Sequence, residues 1–434
     1  MPRKMKESGV EWLGQIPEGW GVCRCKFILC RNDGGIWGND PVGEDGEFVL
    51  RSTEQTIDGN WEVIAPAKRD LSVIPNKEYF LIRAGDLLVT KSSGSDLHIG
   101  KTTLADEAIE KGHYYYSNFL QRLRFDGSTA PRFVWYLMNS CIARQQFVYR
   151  QNSTSGIGNI NAADIDELKF PRPPLPDQQR IAAFLDERCA KIDGMIAEAK
   201  TSIEDYNIYR QDVIDCLANF GSCSIDRVKV RDSGNVWLNK VPDAWDVLKI
   251  GLIFKENCRA PKDEDIPLSL SQKDGLIPTD LMQEHSLKTS TYENWKRVLP
   301  DDLVLNRFKA HLGVFYASQY TGMVSFHYGV FVARRPLSVK YYEYLFHSTP
   351  YRRMFAEFSN GITVGLQNLS NSSFYSARCV CPPVDVQRRI AAELDEKCAA
   401  IDKLVGEKEA LIADLEAYKK SLIFETVTGK REVA

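Results

Sequence analysis

The chain has 434 residues, of which 44% are hydrophobic and 26% charged, enough to bury substantial cores and to form two or more domains. Its formal net charge of −3 excludes a protein that simply coats nucleic acid, a class that is usually strongly basic. The longest apolar runs, such as Tyr79–Ile82 and Leu87–Thr90, are far shorter than the roughly 20 residues of a bilayer span, and the opening MPRKMKESGVEW has no apolar core of the secretory kind. No membrane segment and a cytoplasmic location are the expectation.

Taken in chain order, the first element is Ser8–Trp20, SGVEWLGQIPEGW. Short β runs follow at Phe48–Leu50, Leu87–Thr90 and Leu120–Phe125, separated by Gly, Pro, Asp and Asn turns. A single helix is predicted near Arg132–Tyr149. After PRPPLP (Pro171–Pro176), a stiff extended joint, the pattern turns helical for about forty residues. Leu185, Cys189, Ile192, Ile196, Ala199, Ile203, Tyr206, Arg210 and Val213 recur there at alternating intervals of four and three, and only Arg210 is not apolar.

The series then begins again. Ser233–Trp245 reads SGNVWLNKVPDAW, strands are predicted at Leu303–Leu305 and Val330–Ala333, and one helix is predicted near Lys340–Phe358. A second seam follows at Leu394, Cys398, Ile401, Val405, Lys408, Ile412, Leu415, Lys419 and Leu422. Ile181–Asp193, IAAFLDERCAKID, and Ile390–Asp402, IAAELDEKCAAID, are identical at ten of thirteen positions. This is an internal repeat. Tyr136-Leu137, Arg144 and Phe147 also match Tyr344-Leu345, Arg352 and Phe355, and Leu87–Lys91 matches Leu303–Arg307.

The expected organisation is a globular domain over 1–175, a long helix over 176–220, a second globular domain over 221–381 and a second long helix over 382–434. The net charges of these segments are −1, −4, +4 and −2, so the acidity lies in the helices. The fold class is α+β, with two mixed α/β domains related by pseudo-two-fold symmetry and two long helices forming an antiparallel coiled coil. A single such seam often joins two chains, but two in one chain favour pairing with each other. Forty residues at about 1.5 Å each make a rod of roughly 60 Å, longer than the roughly 34 Å turn of duplex DNA. The C-terminal TVTGKREVA would run naturally into the N-terminal MPRKMKESGVEW, a nearly circular arrangement.

Eleven scattered cysteines suit a reducing compartment. The C-x-C pairs Cys23/Cys25 and Cys379/Cys381 read as strand residues, and no metal site is expected. There is no G-x-x-x-x-G-K-[ST] phosphate loop, and neither Pro-Pro pair (Pro173-Pro174, Pro382-Pro383) sits in the acidic or amide, Pro-Pro, aromatic context of an adenine methyltransferase. The pairs open helices instead. The six histidines and the lone carboxylates read as surface and core residues, leaving no catalytic set.

The segments SGVEWLGQIPEGW, PPLPDQQRIAAFLDERCAKID, PPVDVQRRIAAELDEKCAAID and VTGKREV together resemble the specificity subunit of type I restriction-modification systems over essentially the whole chain. Asp177-Gln178-Gln179 and Val386-Gln387-Arg388 depart from the family's usual Glu-Gln, keeping Gln178 and Gln387. The resemblance implies two target recognition domains, each reading half of a bipartite double-stranded DNA site, with an antiparallel coiled coil as spacer. It also implies two methyltransferase (modification) subunits and two ATP-dependent restriction subunits as partners. S-adenosylmethionine, ATP and Mg would belong to those partners, with no cofactor in this chain.

Val298–Phe331 is similar to a recurring recognition-domain pattern, with Asn-Arg and a later Val-Ser-x-x-Tyr, and LLVTKSSGSDLHIGKTTL is a divergent variant of it. The candidate DNA-binding residues are Lys91, Ser92, Ser93 and Lys101 in the first domain, and Asn306, Arg307, Lys309 and His311 in the second. The bland reading of Lys91 and Arg307 is solvated strand ends. Ser155–Asn159 and Asn360–Val364 read as glycine loops returning the chain to its helix. The competing function is a coiled-coil scaffold joining two protein-binding or glycan-binding domains.

Overall fold

The computed structural model describes residues 3–43, 45–93, 98–150, 152–154, 157–224, 228–234, 236–272, 275–282, 294–359 and 368–433. They form two compact units, Met1–Glu198 with Ala410–Ala434, and Ala199–Glu409. The first is called the N-terminal unit and the second the central unit.

Each unit opens on a small antiparallel hairpin, Met5–Glu7 with Gln15–Pro17 in one and Val230–Asp232 with Lys240–Pro242 in the other. Each then builds a four-stranded antiparallel sheet in the same order. In the N-terminal unit the order is Leu29–Gly34, Leu120–Phe125, Leu87–Thr90, Thr102–Leu104; in the central unit it is Phe254–Glu256, Tyr328–Ala333, Leu303–Asn306, Phe315–Ala317. A second sheet, three-stranded in the N-terminal unit and four-stranded in the central unit, contains a parallel pair in both cases: Tyr115–Tyr116 beside Glu47–Leu50, and Gly322–Val324 beside Ile266–Ser271. The strands predicted at Leu87–Thr90 and Leu120–Phe125 form with those bounds.

The single helix expected in each unit is instead a pair. Pro131–Met138 is followed by Cys141–Arg150, and Val339–His347 by Thr349–Phe358. The breaks fall at matching serines. Ser140 Oγ donates to the Leu137 carbonyl and Ser348 Oγ to the Leu345 carbonyl, both at 2.7 Å, the kind of local bond that competes with helix continuation. In the central unit Pro350 adds a second reason, because it has no N–H to carry the helix through.

The long helices run over Leu175–Phe220 and Val384–Val427. In the N-terminal unit Leu185, Cys189, Ile192 and Ile196 share one core with Leu422 and Val427, and Ile412 and Leu415 pack against it. In the central unit Val213, Ile214, Leu217 and Ala218 share a core with Ile390, Ala391, Leu394 and Cys398. The start of one helix thus meets the end of the other within each unit, which is antiparallel pairing. Ile401 is buried, and Ile203, Tyr206 and Val405 are half-buried between exposed neighbours, as a two-helix seam requires.

The non-apolar seam position has a partner. Arg210 pairs with Asp402 at 3.3 Å in the central unit, and its repeat equivalent, Lys419, pairs with Asp193 at 2.6 Å in the N-terminal unit. Exposed pairs of this kind add little stability, about 0–1 kcal/mol, but they set register.

Both helices stop on a left-handed glycine packed against the tryptophan that ends an opening hairpin segment. Gly221 has φ +69° and a Cβ there would lie 3.0 Å from Trp245, whereas at Gly429, φ +73°, it would lie 2.5 Å from Pro17 and 2.9 Å from Trp20. Gly429 of VTGKREV is therefore packed on the segment that contains Pro17 and Trp20. Gly429→Ala is expected to lower the unfolding free energy by roughly 1–3 kcal/mol, and by more than Gly221→Ala does, as measured by urea denaturation of the two variants side by side.

Candidate nucleic-acid interface

The recognition surface of each unit is positioned by a short set of buried polar contacts that the two repeats share. Gln178 accepts from the Ala130 N–H at 2.9 Å and donates to the Pro173 carbonyl at 2.9 Å. Gln387 accepts from the Ser338 N–H at 2.9 Å and donates to the Pro382 carbonyl at 2.8 Å. One amide therefore ties the Pro-Pro turn before each long helix to the helix pair of the unit, filling an otherwise open helix N-terminus. This is the physical reason for the glutamine retained in both copies.

A second tie lies one face along. The Tyr136 hydroxyl donates to Asp186 at 2.7 Å, with Arg132 donating to the same carboxylate at 2.7 Å. The Tyr344 hydroxyl donates to Asp395 at 2.7 Å, with Lys340 at 3.8 Å. Burial, followed by the bond to the carboxylate, pushes both phenols up, so they remain donors throughout the physiological range. Sequence reading aligned the two tyrosines but did not identify their aspartate partners.

The candidate residues gather at one end of the four-stranded sheets. Lys91 follows the strand Leu87–Thr90; its N–H donates to the Phe119 carbonyl at 3.0 Å and its carbonyl accepts from Ile160 at 2.8 Å. Its side chain lies over Gly34, where a Cβ would stand 2.8 Å from Nζ, and burial lowers its pKa. Ser92 and Ser93 form a short strand paired with Gly158–Asn159, and Ser92 Oγ donates to Asn159 at 2.8 Å. Ile157–Asn159 of the expected glycine loop is therefore strand, while Ser155, Gly156 and Asn360–Val364 lie outside the described residues.

Lys101 is placed differently from the expectation. It is only 6% exposed, and its Nζ donates to the Ser52 carbonyl at 2.8 Å and the Gln55 carbonyl at 2.6 Å. Its donors are used inside the fold. In the central unit Arg307 is likewise engaged, bonding Glu256 and Asn371 at 2.7 Å each. Burial alone would raise the Glu256 pKa; the bond from Lys296 and the Arg307 charge outweigh it and hold the carboxyl low. Asn306 accepts from the Phe308 N–H at 3.1 Å and so starts the 3-10 turn Arg307–Leu312, which carries Lys309, exposed, and His311, half-buried. The freest cations at this edge are Lys309 and the half-buried Lys91.

Sequence reading missed the turns that face these cations. Leu120 N–H donates to the Ser117 carbonyl at 2.9 Å, and Tyr328 N–H to the Ser325 carbonyl at 3.0 Å, closing tight turns over Ser117–Leu120 and Ser325–Tyr328. Strand register pairs Leu120 with Thr90 and Tyr328 with Asn306, so the turns stand opposite Lys91 and Arg307 respectively. The Ser-x-x-Tyr of the central unit was visible as a pattern; its counterpart in the first unit, Ser-Asn-Phe-Leu, shares only the serine with it.

Two units of one topology, held on paired helices by the same side chains but bearing different residues at the sheet edge, define a duplicated recognition protein. Comparisons with known proteins agree. Residues 45–204 match the model of the type I restriction modification DNA specificity domain. A Methanocaldococcus jannaschii relative named as the MjaX type I restriction enzyme specificity subunit is 22% identical over 97% of this chain and 96% of its own. The EcoKI specificity subunit of Escherichia coli K12 is 24% identical over 48% of this chain and 44% of its own.

Among solved structures, a chain from a study of complex assembly and conformational transition in the type I R-M system has the same fold, with a TM-score of 0.71 and 15% identity over 96% of this chain and 99% of that one. The HsdS subunit from Thermoanaerobacter tengcongensis aligns with a TM-score of 0.54 and 14% identity over 96% and 98%. Over residues 45–204 the chain thus matches the type I restriction modification DNA specificity domain, and over nearly its whole length it is similar to a relative named as a type I specificity subunit and shares the fold of the solved ones.

Lys101 and Lys309 should separate in two measurements. Lys101→Met is expected to lower stability by about 1–3 kcal/mol by leaving two carbonyls unmet, read as a drop in melting temperature. Lys309→Ala should leave melting unchanged, weaken duplex binding across sequences and reduce the salt slope by about one.

Proposed function

We propose that this chain is the DNA sequence-specificity subunit of a type I restriction-modification complex. Its two units each read one half of a bipartite, asymmetric double-stranded DNA site, and the paired helices fix the unread spacer between the halves. The observation that carries this reading is a repeated frame with unlike edges. Gln178/Gln387, Tyr136/Tyr344 and the Lys419–Asp193 and Arg210–Asp402 pairs are duplicated, whereas the residues facing outward at the sheet ends are not. A repeated frame suits two copies of one partner, and unlike edges suit two different half-sites.

On this reading the chain performs no catalysis and holds no cofactor or metal. Two modification subunits bring S-adenosylmethionine, two restriction subunits bring ATP and Mg, and the complex works in the cytoplasm. No helix among the described residues is long and apolar enough to cross a membrane. A net charge of −3 gives this chain little long-range attraction for phosphate, so tight binding requires the modification subunits.

The test is duplex binding by the chain alone and with its modification subunit, over a range of salt. The expected result is sequence-selective binding by the complex, with log K falling linearly against log salt at about −0.9 per phosphate contacted. Binding without sequence preference in both cases, or without salt dependence, contradicts the proposal and favours a scaffold for protein or glycan ligands.

A further inference from the structure

The tight turns Ser117–Leu120 and Ser325–Tyr328 hold large aromatic rings in water. Phe119 is 55% exposed and Phe326 53%, both at the centre of their turns. Flexible surface loops carry single exposed apolar residues without consequence, but these turns are firmly mounted. In the N-terminal unit Ser117 is fully buried and its N–H donates to the Leu50 carbonyl at 2.8 Å, while the Phe119 carbonyl is held by Lys91 at 3.0 Å. In the central unit the Phe326 ring lies 3.9 Å from that of His327, which lies 5.7 Å from that of Phe308, itself 37% exposed. A short aromatic row results, next to exposed Lys309.

An exposed phenylalanine thus occurs in the matching turn of both repeats, at its third position in the N-terminal unit and its second in the central unit. The surroundings identify the occupant. The turns stand opposite half-buried Lys91 in one unit and opposite Arg307, held by Glu256 and Asn371, in the other, where exposed Lys309 follows Phe308 in sequence, so each ring has a cation beside it. Aromatic faces with adjacent cations match the two parts of a nucleotide, a flat base and an anionic phosphate.

We propose that Phe119 and Phe326 are base-stacking wedges, each pressing its ring against a base step of its own half-site while the neighbouring cations hold the phosphates. This rests on the reading of the two units as DNA-recognition domains and assigns the contact within them. The wedge favours steps that unstack at low cost, such as pyrimidine–purine steps, and so contributes to specificity without a hydrogen bond to any base.

The test uses the full chain assembled with its modification subunits, carrying Phe119→Ala, Phe326→Ala, Phe119→Trp or Phe326→Trp. The probes are a duplex bearing the motif that the system methylates and a shuffled duplex of the same length. Each alanine variant should raise Kd for the motif duplex roughly 5- to 150-fold while leaving shuffled-duplex binding, melting temperature and subunit assembly unchanged. The tryptophan variants should retain binding. A 2-aminopurine scanned through one half-site should brighten on binding of the wild-type complex, and the signal should be lost only with the variant of the matching unit. Unchanged Kd in both alanine variants overturns the wedge, as does loss of modification subunits in place of DNA. If the wild-type complex prefers the motif and the variants do too, the wedge alone fails; if the wild type shows no preference, the DNA reading fails with it.

Discussion

Neither globular unit closes its core with the helix that follows it in sequence alone. The N-terminal unit needs Leu422 and Val427 from the far end of the second helix, and the central unit needs Val213, Leu217 and Ala218 from the far end of the first. Burying a leucine or valine contributes about 1.5–3 kcal/mol, a large share of a marginal domain stability. Antiparallel pairing of the helices is therefore a condition for both cores, and the register of that pairing decides where each recognition edge stands on its helix. The Lys419–Asp193 and Arg210–Asp402 pairs add register more than energy.

From that constraint the functional division follows. Three contacts that tie a unit to the helices recur in the other unit with the same residue types: the buried glutamine, the tyrosine hydroxyl on an aspartate, the left-handed glycine against a tryptophan. Among the described residues the sheet edges make no contact with the helices of this kind, and they differ: Lys91 lies half-buried over Gly34, whereas Arg307 bonds Glu256 and Asn371. A frame that must close in one way thus carries edges that need not agree. The buried guanidinium of Arg122, bonded to the Tyr79 and Leu81 carbonyls and lying over the Tyr116 ring, is likewise spent on holding the fold.

Much of this frame was legible in the sequence, for physical reasons. A seam with period 3.5 survives in sequence because packing demands it at every turn, so Leu185–Ile196 and Leu394–Ile401 could be placed without coordinates. The strands at Leu87–Thr90 and Leu120–Phe125 were legible because they cross the unit's core. The break of the first expected helix was not, since it depends on one serine hydroxyl turning back to a carbonyl, and serine at that position reads as neutral; in the central unit Pro350 was the sequence signal that went unread. Lys101 looked like a recognition residue because a lysine near a predicted strand end is normally exposed; only the approach of the Ser52 and Gln55 carbonyls, 49 and 46 residues earlier, uses its donors. The aromatic turns escaped notice because exposure, not residue type, distinguishes Phe119 from the core phenylalanines.

The central claim is that one repeated frame presents two unlike readers, each for its own half-site. Sequencing of methylated bases in cells that express this chain with its modification and restriction partners tests it most directly. The account predicts one methylated motif made of two different short half-sites separated by an unspecified spacer of constant length. A continuous motif, a palindrome, or a spacer that varies in length would contradict it.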